Sequence, residues 1–166
     1  TPIRPVPTDF PPFGALAILQ SLQSQGYSPT FYDIDCWRPS LEEALAHLSK
    51  LKPDIIGISA VVSTAYAYTK KLCLGIKEIL PDSIIIVGGN LAASAEILHR
   101  KAKVDLCVVG DGEKIIVELV RFLSQGNWRS RLADLRAVLG VTFLDARGEM
   151  VYTGNALPPS AEEIED

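Results

Sequence analysis

Apolar positions along this chain recur in two alternating rhythms. The runs "DIIGISAV" (54–61), "SIIIVGG" (83–89) and "VDLCVVGDG" (104–112) are nearly continuous in aliphatic and β-branched residues. Strands covered on both faces read this way. Between them the spacing becomes helical, with Leu72, Ile76, Ile79 and Leu80 on one helix and a second from about Ala93 to Lys101. A further helix over 113–125 turns Ile116, Leu119, Val120 and Leu123 inward. Upstream, Ala15 to Gln25 places Leu16, Leu19 and Leu22 on one face, and Gly26 stops the helix. "PTFYDID" (29–35) alternates like a short strand. Ser40 and Glu43 form a capping box that opens a helix to about Lys52, which Pro53 ends. "GVTFLDARGEMVYT" (140–153) predicts two strands joined by a turn at Ala146-Arg147-Gly148.

Strands alternating with helices at these distances imply right-handed crossovers and a parallel sheet. The expected fold is α/β, a flavodoxin-like (Rossmann-like) three-layer domain with a parallel sheet and a short C-terminal hairpin. Such a sheet begins with a central strand before the first helix. The opening "TPIRPVPTDFPPFG" carries five prolines and cannot make an interior strand. That strand is therefore either irregular here or upstream of this chain.

Composition narrows the partners. A chain of 166 residues with 48% apolar content buries one good core. A net charge of −4 leaves no broad positive field for a polyanion, so nucleic acid is not an expected partner. Cys36, Cys73 and Cys107 are far apart, and two lie in apolar segments, where a reduced thiol acts as a small hydrophobe. No apolar run reaches membrane-span length and no charged-then-apolar leader opens the chain, which reads as a soluble, cytoplasmic protein with no membrane partner.

In an open parallel sheet, ligands bind beyond the carboxyl ends of the strands, where helix N-termini present free amides. Here those ends are residues 59–64, 88–90 and 110–113, with "TDFPPFG" entering the same edge. Hydroxyls and glycines dominate them. They allow close approach and hydrogen bonding, but provide neither a nucleophile with a base nor paired carboxylates. Gly88-Gly89 also reads as a turn requiring positive φ, and Asp111 as a helix cap. His47 and His99 read as solvated helix residues beside Lys and Arg.

The ordered series "PDIIGISAVVSTAYAYTKKLCLGIKEILPDSIIIVGGNLAAS" and "VDLCVVGDGEKIIVEL" resembles the cobalamin-binding domain of cobalamin-dependent radical S-adenosylmethionine enzymes. The resemblance covers about residues 9 to 155. It implies that Ser59, Val61, Gly88 and Gly89 line a channel for the cofactor's nucleotide tail, where a Cβ at either glycine would occupy the space of the benzimidazole ring. Ser63 and Thr64 would hydrogen-bond the tail, with Phe13, Gly14 and Asn90 at the same edge. Gly110, Asp111 and Gly112 would border the corrin.

Many cobalamin domains carry Asp-x-His-x-x-Gly before the first helix, the His ligating cobalt. This chain reads Asp9-Phe10-Pro11-Pro12-Phe13-Gly14, with Pro11 in the histidine position. The departure fits the radical enzymes, whose members commonly lack this His, and implies base-off cobalamin without a protein imidazole. A Cys-x-x-x-Cys-x-x-Cys motif is absent, so a [4Fe-4S] cluster and S-adenosylmethionine belong to a catalytic domain outside this chain. The expected division is a cobalamin-binding domain over 1–155, not catalytic by itself, and a linker over 156–166 toward a downstream radical enzyme domain. A degenerate docking or structural module of the same fold, binding no cofactor, is the alternative.

Overall fold

The structure, a computed structural model, describes residues 11–61 and 65–155. A five-stranded sheet forms the centre, in the order β1 (Ile55–Ser59), β2 (Ile84–Gly88), β3 (Leu106–Val108), β4 (Val141–Leu144), β5 (Met150–Tyr152). The first three strands are parallel, and the hairpin β4–β5 continues the same sheet antiparallel from β3. The predicted buried runs are these strands, and the C-terminal hairpin extends the main sheet.

The helices divide between the two faces. Helix α1 (Phe13–Ser24) and α6 (Gly112–Leu123) pack together over one face, where Ile86, Leu106, Leu119, Leu135 and Phe143 are buried. Helices α3 (Leu41–Leu51), α4 (Tyr66–Ile79) and α5 (Ala95–Ala102) cover the other, around Ile56, Cys73, Ile76, Ile85, Val87 and Leu98. The alternation of β2 explains the split, since Ile84 and Ile86 face α1 and α6 while Ile85 and Val87 face α4 and α5. The capping box is present: Glu43 N–H donates to Ser40 Oγ at 3.1 Å and Ser40 N–H to Glu43 Oε2 at 2.7 Å.

Several expectations are corrected. Residues 29–35 form no strand; the chain is irregular to Asp33 and then makes the short helix α2 (Ile34–Trp37), whose first turn is capped by Asp33 accepting from Cys36 N–H at 3.0 Å. An alternating segment becomes a strand only when another strand satisfies its backbone, and none lies beside it among the described residues. Ile79 is 40% exposed, because it lies off the inward stripe of α4, which runs through Leu72 and Ile76 to the half-buried Leu80. His99 is not solvated but buried. Its Nδ1 lies 2.8 Å from the Val104 carbonyl and its Nε2 2.9 Å from Thr142 Oγ1. A carbonyl can only accept, so Nδ1 carries the hydrogen and Nε2 accepts from the hydroxyl. The turn Trp128–Arg131 and helix α7 (Leu132–Leu135) lack a strong apolar rhythm, yet Trp128 and Leu135 are buried.

At the amino ends of the parallel strands, Asp105 is buried and fully partnered. Its Oδ2 accepts from Ile85 N–H at 2.8 Å and lies 2.6 Å from Lys77 Nζ, while Arg129 pairs with Oδ1.

Candidate functional site

The carboxyl ends of β1, β2 and β3 lie on one edge, as parallel pairing requires. Ser59 pairs in register with Gly88, so both face the side of the sheet that carries α1 and α6. Ser59 is exposed and Gly88 half-buried, and a Cβ built on Gly88 would meet nothing within 4 Å. Open space therefore stands over this end of β2. Gly14, in the first turn of α1, and Gly110, at φ +105° after β3, also face open space.

Gly89 has a different reason to be glycine. Its φ is 79° and ψ −175°, a region that is essentially glycine-only, and a Cβ there would lie 2.7 Å from the Ala60 carbonyl oxygen. That oxygen accepts from Leu91 N–H at 3.0 Å, and Ala60 N–H donates to the Gly88 carbonyl at 3.0 Å. The turn after β2 is thus laced to the end of β1. A Cβ on Gly88 would thus enter open space, whereas one on Gly89 would meet the Ala60 backbone. A Cβ on Gly112, the first residue of α6, would lie 2.9 Å from Ile18 Cδ1 on α1, a side-chain end that can shift aside.

Asn90 and Asp111 are exposed at this edge, and Val61 is 60% and Phe13 70% exposed. Asp111 holds the N-cap position of α6 but makes no side-chain capping bond. Ser63, Thr64 and Asp9 fall outside the described residues. Trp37, which the sequence analysis did not single out, is 75% exposed at the end of α2. Helix α3 descends from its cap Ser40 into the amino end of β1, so the turn holding Trp37 stands at the carboxyl edge.

Neither histidine reaches the edge. His47 stacks on Tyr32 with ring centroids 4.3 Å apart, on α3. His99 is held toward the opposite end by Val104 and Thr142, and burial lowers its pKa. Among the described residues no cluster of His, Cys, Asp and Glu is arranged to hold a metal ion. A cavity of about 350 Å³ at the amino ends is lined by Lys77, Lys103, Asp105 and Arg129. A groove of about 570 Å³ lies between α3 and the end of α4. Neither includes the residues at the carboxyl ends of the strands.

The B12 binding domain family matches residues 2–120. The chain belongs to this family. The relatives it resembles are larger proteins. An anaerobic magnesium-protoporphyrin IX monomethyl ester cyclase of Rubrivivax gelatinosus is 27% identical over 162 residues, 95% of this chain and 27% of the relative. An uncharacterized methyltransferase of Pyrococcus horikoshii is 31% identical over 144 residues, 84% of this chain and 29% of the relative. The chain therefore spans little more than a quarter of the length of such relatives. In fold it is similar to TsrM of Kitasatospora setae, a radical S-adenosylmethionine methyltransferase solved with cobalamin and a [4Fe-4S] cluster, at a TM-score of 0.75 and 18% identity over 96% of this chain and 28% of that one. It is also similar to OxsB, a cobalamin-dependent S-adenosylmethionine radical enzyme, at a TM-score of 0.69, 19% identity and 90% coverage of this chain. No helix among the described residues is long and apolar enough to cross a membrane.

Proposed function

We propose that the carboxyl edge of this B12 binding domain holds cobalamin base-off, its nucleotide tail over Gly88 and no histidine below the cobalt, for a radical S-adenosylmethionine domain of a longer polypeptide. The observation that carries this reading is the open space at Gly88 beside its register partner Ser59. A flat or long group can lie there only because Gly88 has no side chain, and the Gly88 backbone tolerates one. Gly14 and Gly110 keep two further approaches clear. Exposed Ser59 and Asn90, with Ser63 and Thr64, offer hydrogen-bonding partners for the tail, while Phe13, Val61 and Trp37 offer apolar cover. Gly110, Asp111 and Gly112 border the corrin. Gly89 acts indirectly, holding the turn that keeps Gly88 in place.

Bound cobalamin supplies a cobalt centre for methyl transfer or related radical chemistry. The residues of this chain bind and orient it, and the cluster and S-adenosylmethionine sites belong to the remainder of the polypeptide.

The test is a cobalamin titration of the natural-length protein and its Gly88→Leu variant, followed by absorbance. The expected result is a Kd raised by roughly tenfold or more, equivalent to about 1.4 kcal/mol, with circular dichroism unchanged. Wild-type affinity in the variant would move the tail elsewhere. Absence of binding in the wild type would instead favour the docking module without a cofactor.

A further inference from the structure

The cavity at the amino ends of the strands, opposite the edge proposed for cobalamin, carries a charge imbalance that its packing does not need. Lys77, Lys103 and Arg129 line it together with one carboxylate, that of Asp105, so three cations face one acid and two positive charges are left over. This surplus stands on a chain whose net charge is −4. A structural ion pair needs one cation per acid, and cations gathered about a cavity repel one another until an anion joins them.

Two of the cations are fixed in place. Buried Asp105 takes Lys77 Nζ at 2.6 Å on one oxygen and Arg129 on the other. Lys77 also donates to the Ser83 carbonyl at 2.7 Å, which leaves one ammonium hydrogen unused. The Arg129 guanidinium lies over the buried Trp128 ring, its Cζ 4.5 Å from the centroid. Beyond the bond to Asp105, its side-chain donors have no partner among the described residues. Lys103 is exposed just after α5 and makes no ion pair among the described residues. Acceptors are already taken: the Val104 carbonyl by His99, and the Asp105 oxygens by the Ile85 N–H and the two cations. The cavity therefore offers an excess of charged donors. Pro81, Trp128 and Leu144 add an apolar wall.

We propose that this cavity binds a small organic phosphate, its phosphoryl group among Lys77, Lys103 and Arg129 and its carbon part against Pro81 and Leu144. Charge selects the class. A phosphate monoester carries about two negative charges near neutral pH, which matches the surplus, whereas a carboxylate carries one. The planar fork of arginine suits phosphate oxygens, and stacking on Trp128 presets its plane. A volume of about 350 Å³ lies at the small end of ligand pockets.

Isothermal titration of the natural-length protein with glycerol phosphate tests this without reference to cobalamin, in about 0.15 M chloride so that diffuse attraction is screened. Saturable binding with a Kd below about 1 mM is expected. Lys103→Glu should raise that Kd roughly tenfold or more, and so should Arg129→Gln, a second change at an exposed side chain. Lys52→Glu is the control, since Lys52 is exposed and left-handed like Lys103, at φ 47° against 56°, but does not line the cavity. It should bind as the wild type does. Inorganic phosphate, which leaves the apolar wall uncovered, should bind several-fold more weakly, and succinate more weakly still. Absence of saturable binding overturns the proposal, and is the result expected if an acidic segment of the longer polypeptide fills the cavity instead. Equal loss in the Lys52 and Lys103 variants overturns it too, as does inorganic phosphate or succinate binding as tightly as glycerol phosphate.

Discussion

Ala60 and Gly89 meet backbone to backbone: a Cβ on Gly89 would lie 2.7 Å from the Ala60 carbonyl oxygen, the atom that also accepts from Leu91 N–H. The contact joins the ends of two parallel strands and leaves the neighbouring Gly88 facing outward. Two adjacent glycines thus have separate causes, one in the fold and one in the space above it.

Gly89→Ala should therefore destabilise the protein while Gly88→Ala should not. The backbone region of Gly89 costs a side-chain-bearing residue about 1–3 kcal/mol, before the clash with Ala60 is added. Thermal melts of the two variants check this, with a drop of roughly 2–4 °C per kcal/mol for a domain of this size. Equal melting temperatures would mean that the turn relaxes freely.

The lower face of bound cobalt should lack a nitrogen ligand. The chain has two histidines, one stacked on Tyr32 and the other bonded to Val104 and Thr142. The exposed Asp111 carboxylate at the edge is a poorer partner for a corrin cobalt than imidazole. Electron paramagnetic resonance of the Co(II) form should show no axial nitrogen splitting. A single-nitrogen splitting would mean that an imidazole, or the cofactor's own base, is coordinated.

Asp105→Ala should cost about 1–3 kcal/mol, because it removes the charge partner of half-buried Lys77, whose ammonium keeps the Ser83 carbonyl, and leaves the Ile85 N–H without its acceptor. Arg129, largely exposed, adds little to the loss. Asp105→Asn keeps an acceptor for Ile85 and should lose less. Urea denaturation of the two variants separates the charge from the hydrogen bond.

His99 should make stability depend on pH. Burial lowers its pKa below the ordinary 6.5, so over the window between its folded value and 6.5 the unfolded chain binds a proton that the folded one does not. Stability contributed by the neutral ring is present above that window and is lost as pH falls through it. His99→Gln should lower stability at neutral pH and flatten the decline as pH falls below 6.5. An unchanged slope in chemical denaturation would assign the effect to other groups.

The thiols should divide sharply. Burial pushes Cys73 and Cys107 up to about 12, whereas Cys36 is exposed on α2. A thiol reagent at mild alkaline pH should modify Cys36 alone in the native protein and all three after unfolding. Rapid native labelling at Cys73 or Cys107 would mean that α4 opens from the sheet.

Much of the fold was legible because it depends on near neighbours in sequence. Continuous apolar runs such as Ile84–Val87 have no solvent face in any arrangement, and a strand between two helical layers is the economical way to bury them. The Ser40–Glu43 box is closed by residues three apart and needs no tertiary context. The order of the three glycine-bearing strand ends pointed to the carboxyl edge because parallel pairing brings such ends together.

The sequence by itself determined the α/β class, the strands β1 to β3, the terminal hairpin and the gathering of the glycine-bearing strand ends on one edge. Tertiary structure alone decided what depends on a distant partner. Residues 29–35 alternate like a strand, yet a strand exists only where another backbone meets its donors. His99 sits among Arg100, Lys101 and Lys103 in sequence, yet it is buried because Thr142, 43 residues away, supplies a donor in the core. Gly88 and Gly89 are identical letters. They differ because the end of β1, brought alongside by the sheet, fills the space beside one and leaves the space beside the other open.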